Sequence, residues 1–306
     1  MTKTLIAVVG PTVSGKTRLG IELARRYGGE IIGADSRQVY RLMDIGTAKP
    51  TADERSRAPH HLIDIIDPDE PFSLGQWLDL ANEALDRVWA DGKQPILVGG
   101  TGQYVWSLIE GWRVPRVAPQ PALRKELSER APEDLLAELR RVDPEAESFI
   151  DPRNVRRVIR ALEVYAETGK PFTYWRRKDA PGFKTVVVGL RVPRDALYER
   201  IDARVDAMIA GGMVGEVRSL LERGYSRELP SMSGIGYGEM CALIAGEVTL
   251  EEATEQMKTR THGFARHQNS WFKPSDERIR WIDGPEDGIR TVDEALGSVG
   301  AAGRTM

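Results

Sequence analysis

The segment Gly10-Pro-Thr-Val-Ser-Gly15-Lys16-Thr17 constrains this chain more than any other. It fits G-x-x-x-x-G-K-[ST], which arises by chance in roughly one to two chains in a hundred of this length. It follows the apolar run Leu5–Val9 and precedes a helical pattern with Leu19, Leu23 and Tyr27 on one face, stopped by Gly28-Gly29. In that strand–loop–helix setting the glycines let successive backbone N–H groups point inward, and the helix N-terminus adds positive potential. Lys16 neutralises phosphate oxygens and Thr17 can hold Mg²⁺. The loop therefore binds a di- or triphosphate, without saying which.

A strand feeding a helix through such a loop belongs to a parallel α/β sheet, and the following residues continue the rhythm. Glu30–Asp35 and His61–Ile66 read as strands, Ser73 caps a helix that closes near Asp91-Gly92, and Pro95–Gly100 reads as a buried strand. From Val114 to Pro121 three prolines change the texture, and only helical patterns follow until Pro181-Gly182. One spans Pro132–Val142; another opens at Asp151-Pro152, as N-cap and N1 proline, and closes at Gly169. Thr185–Leu190 restores a strand. The expected organisation is a P-loop, nucleotide-kinase-like core over residues 1–115 and 182–306, interrupted by an all-helical insertion over 116–181. In the C-terminal part, Thr249–Glu252 is a capping box opening a helix towards Phe272, with Met257, Phe264 and Trp271 spaced by seven for burial. Arg278–Ile282 is a last strand, and the final ~15 residues read as dispensable.

At 306 residues with 41% hydrophobic and 29% charged residues, the chain has ample material for such a core. No apolar run approaches the ~18–20 residues of a membrane span, and the N-terminus reads as a strand rather than a signal peptide. One cysteine, Cys241, forbids an internal disulfide, fits the cytoplasm and reads as a small buried hydrophobe. The net charge of −3 does not announce a nucleic-acid binder, but two local patches are basic. Arg153–Lys178 carries eight basic residues against Glu163 and Glu167, and Gln256–Lys273 holds no acid at all.

Asp35 ends the second strand, where ligands gather in open parallel sheets. Position alone leaves it a catalytic base, a magnesium ligand or the cap of a following turn. Asp44–Pro50 is either a surface turn or a ligand contact, and Gly99-Gly-Thr-Gly102 is a weak second phosphate nest with Thr101 as a side-chain contact. Arg200 and Arg204 share one helical face, which is either a solvated surface or a ligand contact. The aspartate that ATP-hydrolysing P-loop proteins place at a buried strand end is missing after Pro95–Val98, and Asp35 and Asp67 are imperfect substitutes.

Taken together, Gly10–Thr17, Asp-Ser-Arg-Gln-Val-Tyr (35–40), Asp-Ile-Gly-Thr-Ala-Lys-Pro (44–50), Gly-Gly-Thr-Gly-Gln-Tyr (99–104), Arg-Val-Ile-Arg-Ala-Leu-Glu (157–163), Ile-Gly-Tyr (235–237) and Gln268-x-x-Trp271 resemble the tRNA dimethylallyltransferase family, in order over nearly the whole chain. The resemblance implies transfer of a dimethylallyl group from dimethylallyl diphosphate to the N6 amine of the adenosine 3′ of the anticodon (position 37), in tRNAs reading codons that begin with U. It reassigns the loop from ATP to that diphosphate, held by Gly10, Pro11, Thr12, Val13, Ser14, Gly15, Lys16 and Thr17 with Arg204, and by Mg²⁺ on Thr17. Asp35 is implied as the base, with Thr101 and Lys16 completing the catalytic set. For tRNA it implies Asp35, Ser36, Arg37, Gln38 and Thr101, then Arg124, Arg156, Arg157, Val158, Ile159 and Arg160 on the insertion. Ile235, Gly236 and Tyr237 follow, with Arg266, His267, Gln268 and Trp271 at the end. Two departures stand out: Gly238 where the family has a basic residue, and His267 where it has arginine. The expected protein is a cytoplasmic monomer whose partners are the tRNA anticodon stem-loop and dimethylallyl diphosphate. The rival readings are a small-molecule kinase with ATP in the loop, transfer to free AMP, and a nucleotide-switched RNA-binding protein without chemistry.

Overall fold

The computed structural model describes residues 3–302. Its elements run β1 (Thr4–Val9), α1 (Lys16–Tyr27), β2 (Gly29–Gly33), α2 (Ala52–Arg57), β3 (His60–His61), α3 (Leu74–Ala90), β4 (Gln94–Val98) and α4 (Gly102–Ile109). Next come α5 (Pro121–Ser128), α6 (Pro132–Val142), α7 (Val155–Thr168), β5 (Lys184–Leu190), α8 (Arg194–Ala210) and α9 (Met213–Glu222). The chain continues through α10 (Tyr237–Ile244), α11 (Leu250–Trp271), β6 (Ile279–Ile282) and α12 (Gly288–Ala302). The strands form one sheet in the order β3-β2-β4-β1-β5-β6, and every pairing is parallel. β1 lies between β4 and β5, with Ile6 opposite Ile96 and Val186. Leu5 to Val9 are fully buried on both faces, as an unbroken apolar run demands of a strand covered on both sides.

Residues Pro71–Asp79 and Trp106–Pro181 form one compact unit and the rest of the chain another. The helical unit is larger than residues 116–181, because Asp79 takes the Arg116 guanidinium at 2.6 Å and Arg113 pairs with Asp179. Its core gathers Leu127, Leu135, Leu139, Ile150, Val158 and Leu162.

Three local expectations are corrected. The strand expected over His61–Ile66 shrinks to His60–His61, because Leu62 and Asp64 adopt left-handed backbone (φ 62° and 56°). Asp64 then joins the Lys49 and Arg55 side chains. α7 is capped by Asn154, whose side chain accepts the Arg157 N–H, while Asp151 accepts the Arg153 N–H one turn earlier. Gly169 ends that helix in the left-handed region, as its sequence suggests. The final residues are not dispensable: Val292 and Ala295 of α12 sit with Leu19 and Leu23 of α1 in the core beneath the sheet, and only residues 303–306 of that expectation lie outside the described residues. Cys241 is buried, and burial pushes its thiol pKa up, away from reactivity.

The α12 packing gives a direct expectation. Val292→Asp should lower stability by about 3 kcal/mol or more, since it places a carboxylate among apolar side chains. Urea unfolding measures this, and an unchanged midpoint would contradict the packing.

Candidate active site

The Gly10–Thr17 loop wraps around its own lysine. Gly10 (φ 145°), Val13 (φ 55°) and Gly15 (φ 95°) adopt positive φ, turning the backbone back on itself before α1 begins at Lys16. A Cβ on Gly10 would lie 2.9 Å from the Leu190 carbonyl, so only glycine fits there. Lys16 Nζ donates to the Pro11 carbonyl at 2.5 Å. Burial pushes the Lys16 pKa down to about 8, against the pull of Asp35 and with the help of Arg204. Arg204 itself is shifted down by burial and raised by Asp35 and Glu54. Lys16, Asp35 and Arg204 thus form one electrostatic group. Arg200, sharing the helix face with Arg204, is exposed.

Asp35 follows the buried end of β2 and is half-buried. Its Oδ1 accepts the Arg37 N–H at 2.8 Å, so it is also the turn-capping residue its position allowed. Thr101 Oγ1 accepts the Ser36 N–H at 3.0 Å and ties this turn to the end of β4. Asp35, Ser36, Arg37, Thr101 and Arg204 all line a cavity of about 380 Å³, with Thr12 from the P-loop. A second cavity of about 750 Å³, lined by Arg41, Leu42, Lys49 and Arg55 among others, shares Ala48, Arg204 and Met208 with the first.

The Asp44–Pro50 loop lies between these spaces, and its geometry is imposed from a distance. Glu216 on α9 accepts the N–H groups of Asp44, Ile45 and Gly46 at 2.8, 2.7 and 3.2 Å. Glu216 also accepts the Tyr237 hydroxyl at 2.7 Å. The Gln38 side chain donates to the Thr47 and Ala48 carbonyls.

Several residues expected to touch RNA are occupied inside the protein. Gln268, 3% exposed, accepts the Thr12 N–H at 2.8 Å and donates to the Gly100 carbonyl at 3.0 Å. It therefore latches the P-loop to the Gly99–Thr101 loop. The Trp271 ring covers Gly102, where a Cβ would meet it at 2.3 Å. Tyr237 and Gly236 are buried. The Arg37 guanidinium donates to the Pro230 carbonyl and Ser233 hydroxyl.

On the insertion, Val158 and Ile159 belong to the apolar core. Arg124 and Arg160 are held by the fully buried Glu163, at 2.7 and 2.5 Å. Burial alone would raise the Glu163 pKa, but these partners and the Gln120 N–H hold it at about 2. Arg156 and Arg157 remain exposed, as do Arg266 and His267 on α11, while Ile235 is half-buried beside the cavity. At Gly238 the guanidinium of Arg260 lies 3.8 Å from the position of a Cβ. Arg260 is itself anchored on Glu239 at 2.6 Å.

Glu216 and Arg260 were not among the sequence candidates, because nothing local marks a residue whose partners lie far away in the chain. Met257 is buried as its spacing suggests, whereas Phe264 on the same stripe is 40% exposed and lines the smaller cavity.

Among the described residues no group of three or more His, Cys, Asp or Glu side chains could hold a metal. Thr17, half-buried in the first turn of α1, carries a hydroxyl that could serve as a metal ligand. Among the described residues no helix is long and apolar enough to cross a membrane.

Fold and site together define a P-loop α/β protein in which Thr12 of the Gly10–Thr17 loop, Asp35 and Arg204 line one cavity. The IPP transferase profile matches residues 38–275, and the Isopentenyl transferase profile matches residues 3–63. The chain belongs to the IPP transferase family. It is 55% identical over 273 residues to the tRNA dimethylallyltransferase of Roseiflexus sp. (strain RS-1), covering 88% of this chain and 90% of that protein. The full-length tRNA isopentenylpyrophosphate transferase from Bacillus halodurans is similar with a TM-score of 0.72 and 39% identity, over 98% of this chain and 97% of that one. A eukaryotic dimethylallyltransferase captured acting on tRNA gives a TM-score of 0.80 at 30% identity, over 92% of this chain and 74% of that one.

The lowered Lys16 pKa makes anion binding pH-dependent. Inorganic diphosphate in the loop would surround Lys16 with negative charge and raise its pKa from about 8. Affinity is then full below that value and falls by up to about tenfold per pH unit above it, until the bound-state pKa is passed. Calorimetry from about pH 7 to about pH 9.5 should show this together with proton uptake near the upper end. A flat affinity would remove Lys16 from the site.

Proposed function

We propose that this protein transfers the dimethylallyl group of dimethylallyl diphosphate to the N6 amine of adenosine 37 in tRNA, releasing diphosphate. The observation that carries the reading is that Asp35 and Arg204 line one cavity with Thr12 of the P-loop, within electrostatic reach of Lys16. A diphosphate leaving group needs the cations, and a weakly nucleophilic aromatic amine needs the carboxylate. The bond from N6 to the first carbon of the prenyl group forms as that carbon's bond to the diphosphate oxygen breaks. The N6 proton passes to Asp35, whose Oδ1 is oriented by the Arg37 amide.

Lys16, Arg204 and the loop N–H groups stabilise the charge that collects on the departing diphosphate. The Thr12 N–H belongs to Gln268 and is not among those donors. Thr101 acts here as the residue that holds the Asp35–Ser36 turn. Magnesium, held by Thr17 and the diphosphate, would supply further charge neutralisation. RNA affinity is assigned to exposed cations, Arg156 and Arg157 on the insertion and Arg266 on α11. Val158, Ile159 and Gln268 support those helices from within. The proposed setting is the cytoplasm, where the reduced thiol of Cys241 is at home.

Incubation with radiolabelled dimethylallyl diphosphate and unmodified tRNA tests the reading. Label should enter the RNA in a magnesium-dependent way; γ-phosphate transfer from ATP without RNA labelling would instead establish the kinase reading, and turnover of free AMP the alternative acceptor. Asp35→Ala should lower the rate by roughly 10²–10⁴ while tRNA still binds, as filter retention can measure. Full activity in that variant would exclude Asp35 as the base.

A further inference from the structure

Among the described residues only Leu42, Leu250 and Phe264 are large hydrophobics left exposed. Phe264 differs from Leu250 in lining the cavity that holds Asp35 and Thr101. It differs also from its own stripe on α11, where Met257 is buried one heptad earlier and Gln268 is buried one turn later. The core between α8 and α11 is built from other side chains. Met257, Ile201 and Val205 already close the core cluster between α8 and α11, and Ala265 fills the adjoining position. Beside it in the cavity lining, Arg260 is engaged on Glu239 and Thr261 on the Met257 carbonyl. What remains at this edge of the cavity is a phenylalanine side chain that is 40% exposed.

A single exposed phenylalanine is ordinary on a protein surface; what sets Phe264 apart is its place in the lining of the cavity that holds Asp35. Bases splayed out of a single-stranded RNA loop are held by stacking on such aromatic faces. The target base has to enter far enough for its amine to reach Asp35, which is half-buried, so the more exposed ring meets the nucleotide beside it.

We propose that Phe264 is a specificity-determining residue whose ring stacks on the nucleobase flanking the target adenosine. The inference rests on the RNA prenylation reading above. It deepens that reading by assigning one substrate contact to a residue outside the basic patches. Stacking on an aromatic ring is sequence-tolerant, because every base has a π-face. Phe264 therefore reads the presence of a neighbouring base and the loop's splayed shape more than the identity of the base.

The test uses the full-length protein and synthetic anticodon stem-loops, unsubstituted or carrying an abasic residue immediately 5′ or 3′ of the target adenosine. Phe264→Ala should raise KM for the unsubstituted stem-loop by about tenfold, leave KM for dimethylallyl diphosphate unchanged, and leave the melting temperature where it was. Phe264→Trp should restore KM and Phe264→Leu, apolar but without a ring, should not. One of the two abasic substrates should be as poor for the wild type as for Phe264→Ala, since either change removes the same contact. Additive losses with both abasic substrates, full rescue by leucine, or an unchanged KM in the alanine variant would each overturn the proposal. If the wild type prenylates no RNA, the functional reading fails and this inference with it; if it does and Phe264→Ala matches it, the stacking role alone fails.

Discussion

The carboxamide of Gln268 is the contact on which the geometry of the site depends. A P-loop needs its amides aimed at one point, yet the Thr12 amide must be satisfied whether or not a ligand is bound. Gln268 meets that need with its oxygen and spends its nitrogen on the Gly100 carbonyl. One buried side chain from α11 thus fixes the loop after β1 relative to the loop after β4. An amide is suited to this task because it donates and accepts in one plane. Glutamate could not donate, and asparagine is one methylene shorter.

Much of the catalytic core was legible because its signals are local. The apolar run Leu5–Val9, the glycine-rich loop and the amphipathic Lys16–Tyr27 segment are adjacent in sequence, and the structure assembles them in that order. The same held for the Thr249–Glu252 capping box, whose two reciprocal hydrogen bonds are present. Failures came where a distant partner outweighed the local pattern. Asp64 is drawn to Lys49 and Arg55, and the strand expected there ends early. Phe264 keeps the spacing of a buried residue but is 40% exposed. Glu216, held to the Asp44–Gly46 amides about 170 residues away, left no trace in any short window.

The insertion illustrates how charge in sequence misleads about charge in space. Its basic run reads as a surface for RNA, yet Arg124 and Arg160 converge on Glu163, which is fully buried between them. A carboxylate in that position is tolerable only because two guanidiniums and the Gln120 amide neutralise and hydrogen-bond it. The arginines that remain for phosphate contact are those facing solvent, Arg156 and Arg157. Counting lysines and arginines along a helix therefore overstates its electrostatic reach unless the acids beneath are counted too.

The hold of Glu216 on three successive backbone amides fixes the shape of the Asp44–Gly46 stretch. Consecutive N–H groups turned towards one point make a concave cup for negative charge, and the stretch Asp44–Gly46 would offer such a cup within the same neighbourhood as the P-loop. An internal carboxylate already sits in it. The protein thereby fills this receptacle with its own side chain, and the conformation of the Asp44–Gly46 stretch is tied to the position of α9.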